Sequence, residues 1–255
     1  GRAHKGREDS TMDFTYIGYS ELIAKLREQG YAIANYHTYK ETDRCVILRH
    51  DVDNDLEKAA QLAEFEQSLG ICSTYFLLLT SDFYNVFSKE SERLLKQIQG
   101  GHHDIGLHFD EARYPEASGD PQAVTDKILY EAGILSMAVG TQVSAVSMHR
   151  PSRAILDADI HIPDMINSYG KKFFREFKYL SDSRRHWREP VEEIIDSAEY
   201  DRLHILTHPF WYSEKEYDMH RAVAGFINSG NLQRYQQMER NITDLESIMG
   251  REEVL

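Results

Sequence analysis

The stretch Cys45-Val46-Ile47-Leu48-Arg49-His50-Asp51-Val52-Asp53 decides the fold. It begins as an uninterrupted apolar run and ends in ionisable residues. A short apolar run of this kind reads as a strand buried on both faces, as in parallel sheets. Asp55 follows almost at once as a helix N-cap. The next apolar stripe, Leu56, Ala59, Ala60 and Ala63, has helical spacing. A buried strand leading directly into a helix is the building unit of parallel α/β folds.

The pattern repeats along the chain. Thr74-Tyr75-Phe76-Leu77-Leu78-Leu79, Asp104-Ile105-Gly106-Leu107, Ala145-Val146-Ser147-Met148 and Leu203-His204-Ile205-Leu206 read as strands, with weaker ones near 166–169 and 179–180. Helices are expected over 20–29, 88–99 and 122–139, and from Pro190 through 195. Leu232, Tyr235, Met238, Ile242, Leu245 and Met249 recur at helical spacing and predict a C-terminal helix. About seven strands in 255 residues predict a closed or nearly closed (β/α) barrel, with an open doubly wound sheet as the alternative. No glycine-rich turn links a strand to a helix in the nucleotide-binding pattern, which weakens the open-sheet reading. Residues 12–255 are expected to form a single domain. Residues 1–11 are polar, precede Met12, and read as a disordered tail or expression scar.

Acidic residues number 42 against 29 basic ones, a formal net charge of -13. Nucleic acid is therefore not an expected partner, since phosphate binding needs a basic footprint. The same balance opposes an anionic membrane surface. No apolar run approaches the length of a membrane span and no leader-like segment is evident, so a soluble cytoplasmic chain without membrane insertion is expected. Cys45 and Cys72 each sit in an apolar run that reads as a strand, so buried reduced thiols are expected.

Four strand ends carry candidate chemistry: His50-Asp51-Val52-Asp53, His108, His149-Arg150 and His208. In a parallel sheet or β/α barrel, carboxyl ends of strands gather on one face, so these residues should converge. Asp51 and Asp53 share a strand face, whereas His50 and Val52 point the other way. Two neighbouring carboxylates favour a cation beside them. One can bind a metal while the other remains a base, and histidine serves as either ligand or general acid. Gly106 shares a face with His108 and is expected to leave room beside the site. Asp55 reads as a cap, His50 as a structural or supporting histidine, and His102, His103 and His204 as structural.

These motifs resemble, in order from about Cys45 to Trp211, the polysaccharide deacetylase family, carbohydrate esterase family 4. His50-Asp51-Val52-Asp53 is similar to its first motif in an Asp-x-Asp form. Gly101-His102-His103-Asp104-Ile105-Gly106-Leu107-His108 is similar to its second, His149-Arg150-Pro151-Ser152 to its third, and Leu206-Thr207-His208-Pro209 to its fifth. Asp182 with Trp187 faintly resembles the fourth. The resemblance implies a distorted barrel, a divalent metal, and hydrolysis of the acetamido group of a sugar or glycan. It implies Asp51 as base, Asp53 and His108 as metal ligands, His208 as general acid and Arg150 as the arginine orienting the base. Asp182, Trp187 and Trp211 become candidate substrate contacts, with Tyr212 a further ring suited to stacking on a sugar face. The family's second histidine ligand falls at Ala112, and His149 is the expected replacement, ahead of His50 or Asp110, because catalytic zinc favours three protein ligands. Zinc is expected, with iron, cobalt and nickel compatible with the same donors. An intracellular glycan precursor in surface-glycan (lipopolysaccharide-type) biosynthesis is the expected substrate. A different metal-dependent amidohydrolase and a non-catalytic glycan-binding descendant are the alternatives.

Overall fold

A computed structural model describes residues 12–255. The expectation for residues 1–11 lies outside the described residues. The chain divides into two compact units, the first ending at Glu214 and the second spanning Lys215–Leu255.

Among the described residues the first unit contains eight strands and six α-helices in the order α1 (Tyr16–Glu28), β1 (Ala32–Ala34), β2 (Cys45–Val52), α2 (Leu56–Ser68), β3 (Thr74–Leu78), α3 (Lys89–Gly100), β4 (Asp104–Asp110), α4 (Pro121–Val139), β5 (Ala145–His149), α5 (Arg153–Ala158), β6 (Ile166–Asn167), β7 (Lys178–Ser181), α6 (Val191–Ser197) and β8 (Arg202–Thr207). The helices start where the sequence offers caps: the Asp55 side chain accepts from the Lys58 N–H, Ser88 from Ser91, and Asp120 from Gln122 and Ala123.

All strand pairs are parallel, and seven strands form the continuous order β6-β5-β4-β3-β2-β8-β7. The sheet curls into an incomplete barrel; among the described residues no pairing joins β6 to β7. β1 pairs with Cys45–Ile47 of β2, below the point where β3 takes over at Arg49. This three-residue strand and the short α5 were not legible in the sequence, being too short to show a period.

β2 is buried along all eight residues. Its outward residues Val46, Leu48 and Val52 meet the surrounding helices, whereas Cys45 and Ile47 pack inside with Tyr36, Phe76, Ala145, Phe173 and Phe177. Gly106 faces this interior but leaves no gap. A Cβ there would lie 2.5 Å from the Phe76 ring, so the space expected beside His108 is filled by Phe76. Cys72 is exposed, contrary to expectation, because it sits in the loop before β3 instead of within it.

In the second unit the helix α7 (Met219–Glu239) ends earlier than its apolar spacing predicts. Ile242, Leu245 and Met249 lie beyond it, where the chain turns back. The Tyr235 hydroxyl donates to Glu246 (3.0 Å) and to the Met249 carbonyl (2.7 Å), fixing that reversal. No helix among the described residues is long and apolar enough to cross a membrane.

Candidate metal centre

Strand parity places Arg49, Asp51 and Asp53 on the inner face at the carboxyl end of β2. Arg49 is fully buried, and its guanidinium donates to Asp51 twice, Nε to Oδ1 at 3.0 Å and Nη2 to Oδ2 at 2.8 Å. The guanidinium carbon lies 4.8 Å from the centroid of the Tyr169 ring and 5.6 Å from that of Phe76. Burial pushes the Asp51 carboxyl up, but Arg49 and then His108 outweigh it and hold the group below the usual carboxylate range. Asp51 is therefore ionised at neutral pH. Arg150, the arginine expected here, is exposed in a left-handed conformation (φ 49°), and the position beside Asp51 is taken by Arg49. The signal was present in the sequence, because Arg49 shares the parity of Asp51.

Asp53, His108 and His149 come together from the ends of β2, β4 and β5, each offering one donor atom within 4.8 Å of the others. His108 Nε2 lies 3.1 Å from Asp53 Oδ1 and 3.3 Å from His149 Nδ1; His149 Nδ1 lies 3.5 Å from Asp53 Oδ1. Ser147, two residues before His149 and on the same face, sets the orientation of His108. Its hydroxyl is 2.7 Å from His108 Nδ1 and donates to Asp51 Oδ1 at 3.5 Å. With the Ser147 proton directed at Asp51, His108 Nδ1–H is the donor to Ser147. That assignment leaves the Nε2 lone pair facing Asp53 and His149.

Asp53 Oδ1 is buried without a hydrogen-bond partner. A carboxylate oxygen with no donor and two imidazole nitrogens converging on one point is the donor set of a divalent transition-metal ion, and the residues fit that group. Burial pushes Asp53 up, but His108 and His149 hold its carboxyl far below the usual range; contact with Asp53 pushes the His149 imidazole up. Ala112 is exposed in the turn after β4.

His208, at the end of β8, places Nε2 3.9 Å from Asp53 Oδ2. Its Nδ1 lies 2.8 Å from Asp182 Oδ1, and its backbone N–H donates to both Asp182 oxygens at 3.0 and 3.2 Å. Tyr212 donates to Asp182 Oδ2 at 2.9 Å. Burial pulls the imidazole down, but Asp182 outweighs it and His208 is pushed up to about 9. Asp182 on Nδ1 therefore favours the protonated imidazole. Asp182 is completely buried by these contacts, so it holds His208 and is not a surface for substrate.

The aromatic candidates are also largely enclosed. Trp187 and Tyr212 belong to the core packed around α1, β2 and β8, and half-buried Trp211 packs against that core and the Phe210 ring. Neither Trp187 nor Tyr212 can stack on a sugar in this arrangement.

Beneath the centre, on the outer face of β2, Glu66 collects the Tyr19 hydroxyl (2.7 Å), His50 Nε2 (2.9 Å), the Ser73 hydroxyl (2.7 Å) and the Tyr75 hydroxyl. His50 Nδ1 meets the Thr207 hydroxyl. Burial raises the Glu66 carboxyl, but His50 and the other donors outweigh it and bring it down to about 2. His50 therefore ties β2 to α2 and β8 and does not face the donor cluster. Glu66 continues the stripe that includes Ala63, a spacing that marked it as buried. His103 bridges the Ser73 N–H and the Ala63 carbonyl, and His204 bridges the Tyr36 hydroxyl and the Phe173 carbonyl.

No family model matches the chain, and none of the curated proteins compared with it matches. Among solved structures it is similar to a CE4 esterase from Streptococcus mutans, with 15% identity, a TM-score of 0.49, and coverage of 84% of this chain and 91% of that one. It is also similar to a family 4 acetyl xylan esterase from Clostridium thermocellum in complex with a cobalt ion, with 12% identity, a TM-score of 0.43, and coverage of 74% and 84%. A third is a CE4 family pseudoenzyme from Bacillus anthracis, with 14% identity and a TM-score of 0.44; the match covers 75% of this chain and spans 62% of that one's length.

Proposed function

We propose that the chain is a metal-dependent hydrolase that removes the acetyl group from an acetamido sugar, acting in the cytoplasm on a precursor of a surface glycan. The observation that carries this reading is the Asp53–His108–His149 cluster, flanked by an ionised Asp51 and a protonated His208. The motif resemblance supports the choice of an acetamido group. The net charge of -13 favours a substrate other than a polyanion.

Asp53 Oδ1, His108 Nε2 and His149 Nδ1 would hold the ion, zinc being the first expectation and cobalt, iron or nickel compatible with the donors. A bound divalent ion supplies Lewis-acid polarisation of the amide carbonyl and lowers the pKa of water. Asp51, kept ionised by Arg49, accepts the proton of the attacking water. Ser147 keeps the His108 ring aligned while remaining within reach of Asp51. His208 Nε2–H donates to the leaving amine, and Asp182 holds the opposite nitrogen, so the acid is already charged before substrate arrives.

The test is acetate release from N-acetylated amino sugars by zinc- or cobalt-loaded protein, alongside Asp51→Asn. Wild-type turnover is expected, with a loss of at least 100-fold in the variant at unchanged metal content. Equal acetate release by both proteins would remove Asp51 from the reaction. No release by metal-loaded wild type across the sugar series would remove the deacetylase reading.

A further inference from the structure

His149 reaches the donor cluster from the last residue of β5, and the chain immediately after it is strained. Arg150 adopts φ 49°, a left-handed conformation in which a side-chain-bearing residue crowds its own carbonyl. Such a turn persists only where its surroundings hold it. The next residues are Pro151 and Ser152, which caps α5.

The anchor comes from the neighbouring loop. Asp110 pairs with His149 in the final rung between β4 and β5, and Glu111 is the next residue. Glu111 is buried, and its Oε1 accepts the Ser152 N–H at 2.9 Å. Its Oε2 accepts the Ser118 hydroxyl and the Gly119 N–H, both at 2.7 Å. One carboxylate therefore closes its own loop and ties it across to the turn that follows His149. The two strand ends stay coupled beyond the last backbone rung.

We propose that Glu111 is a positioning residue for the metal centre: its carboxylate clamps the turn at Arg150 and thereby holds the His149 imidazole against Asp53 and His108. The proposal rests on the metal reading above. The loop has Ala112 where the family resemblance expects a histidine ligand; one residue earlier it supplies the group that secures the replacement.

The test is a cobalt(II) titration of metal-stripped full-length protein, followed by visible absorption and calorimetry. Two variants break the clamp from opposite sides. Glu111→Gln replaces one acceptor oxygen with a donor. Ser152→Pro removes the N–H while keeping a backbone angle (φ -66°) that proline adopts, and it guards against a misfolded Glu111→Gln. Each is expected to weaken cobalt binding about 10- to 100-fold, the usual cost of losing a group that orients a ligand. His149→Ala should weaken it at least as much and change the cobalt spectrum. Adding Glu111→Gln to His149→Ala should cost no more than about twofold further, because the clamp then has no ligand to hold. Wild-type affinity in both clamp variants, or full additivity with His149→Ala, would overturn the clamp. A wild-type protein that binds no cobalt would overturn the metal reading itself, and the clamp with it.

Discussion

Replacing Arg49 with methionine would leave the Asp51 carboxylate buried without its cation. Arg49 is fully buried and Asp51 is 4% exposed, so water cannot substitute for the two lost hydrogen bonds. Removing one member of such a pair costs about 3–5 kcal/mol, mostly from the unpaired charge left behind. In a chain of this size that lowers Tm by roughly 10 °C. Burial is the largest influence on Asp51 and pushes its carboxyl upward. With Arg49 gone, the group therefore moves toward the protonated form and the proposed base is lost along with stability. Arg49→Lys retains the charge but not the planar fork, and should fall between wild type and Arg49→Met. Combining Arg49→Met with Asp51→Asn should recover most of the stability but none of the turnover. Urea denaturation of metal-free protein, followed by far-ultraviolet circular dichroism, measures the first quantity; acetate release measures the second. An Arg49→Met cost below about 1 kcal/mol, or a double variant whose loss equals the sum of the single losses, would refute the reasoning.

Chelation should abolish turnover, and zinc or cobalt should restore it; Asp53→Ala should bind neither ion in a calorimetric titration, and retained stoichiometric binding would exclude Asp53 as a ligand. Asp182→Asn should lower kcat about 100-fold with little change in metal content, because His208 loses the group that keeps it charged and oriented; an unchanged kcat would show that the acid needs no such support. His204 is brought down to about 3 by burial and then by Arg49, so the folded protein keeps it neutral. The unfolded chain binds a proton near pH 6.5 that the folded chain does not. Its contribution is therefore complete above that pH and falls by about 1.4 kcal/mol per unit as pH drops toward 3. His204→Gln should flatten that part of the stability–pH curve measured by urea denaturation, and an unchanged slope would contradict a neutral His204.

Much of the barrel was legible because the strands are apolar runs bounded by caps, and β2 through β5 appear where those runs lie. Period-two parity also aligned Asp51 with Asp53, and the structure brings Asp53, His108 and His149 together. Parity applied to Arg49 and Ser147 points to the same interior, yet an apolar strand draws attention to its ends more than to its polar interruptions. Arg150 was misplaced for a different reason: a left-handed residue turns its side chain away, and sequence spacing carries no trace of φ. The Asp182–His208 pair joins residues 26 apart at the ends of adjacent strands β7 and β8, so only the strand order reveals it. Trp187 misled because aromatic character does not distinguish a ring that binds sugar from one that fills a core.

The Phe76 ring occupies the volume that any Cβ at position 106 would need. The two positions are therefore one steric unit in evolutionary terms. A side chain at 106 becomes admissible only after residue 76 has shrunk, while shrinking residue 76 alone opens a void beneath His108. Drift through either single substitution is disfavoured, and the permissible route is a paired exchange. Among descendants of this chain, residue size at 76 and at 106 should vary in opposite directions, leaving a historical signature of the floor on which the candidate centre stands.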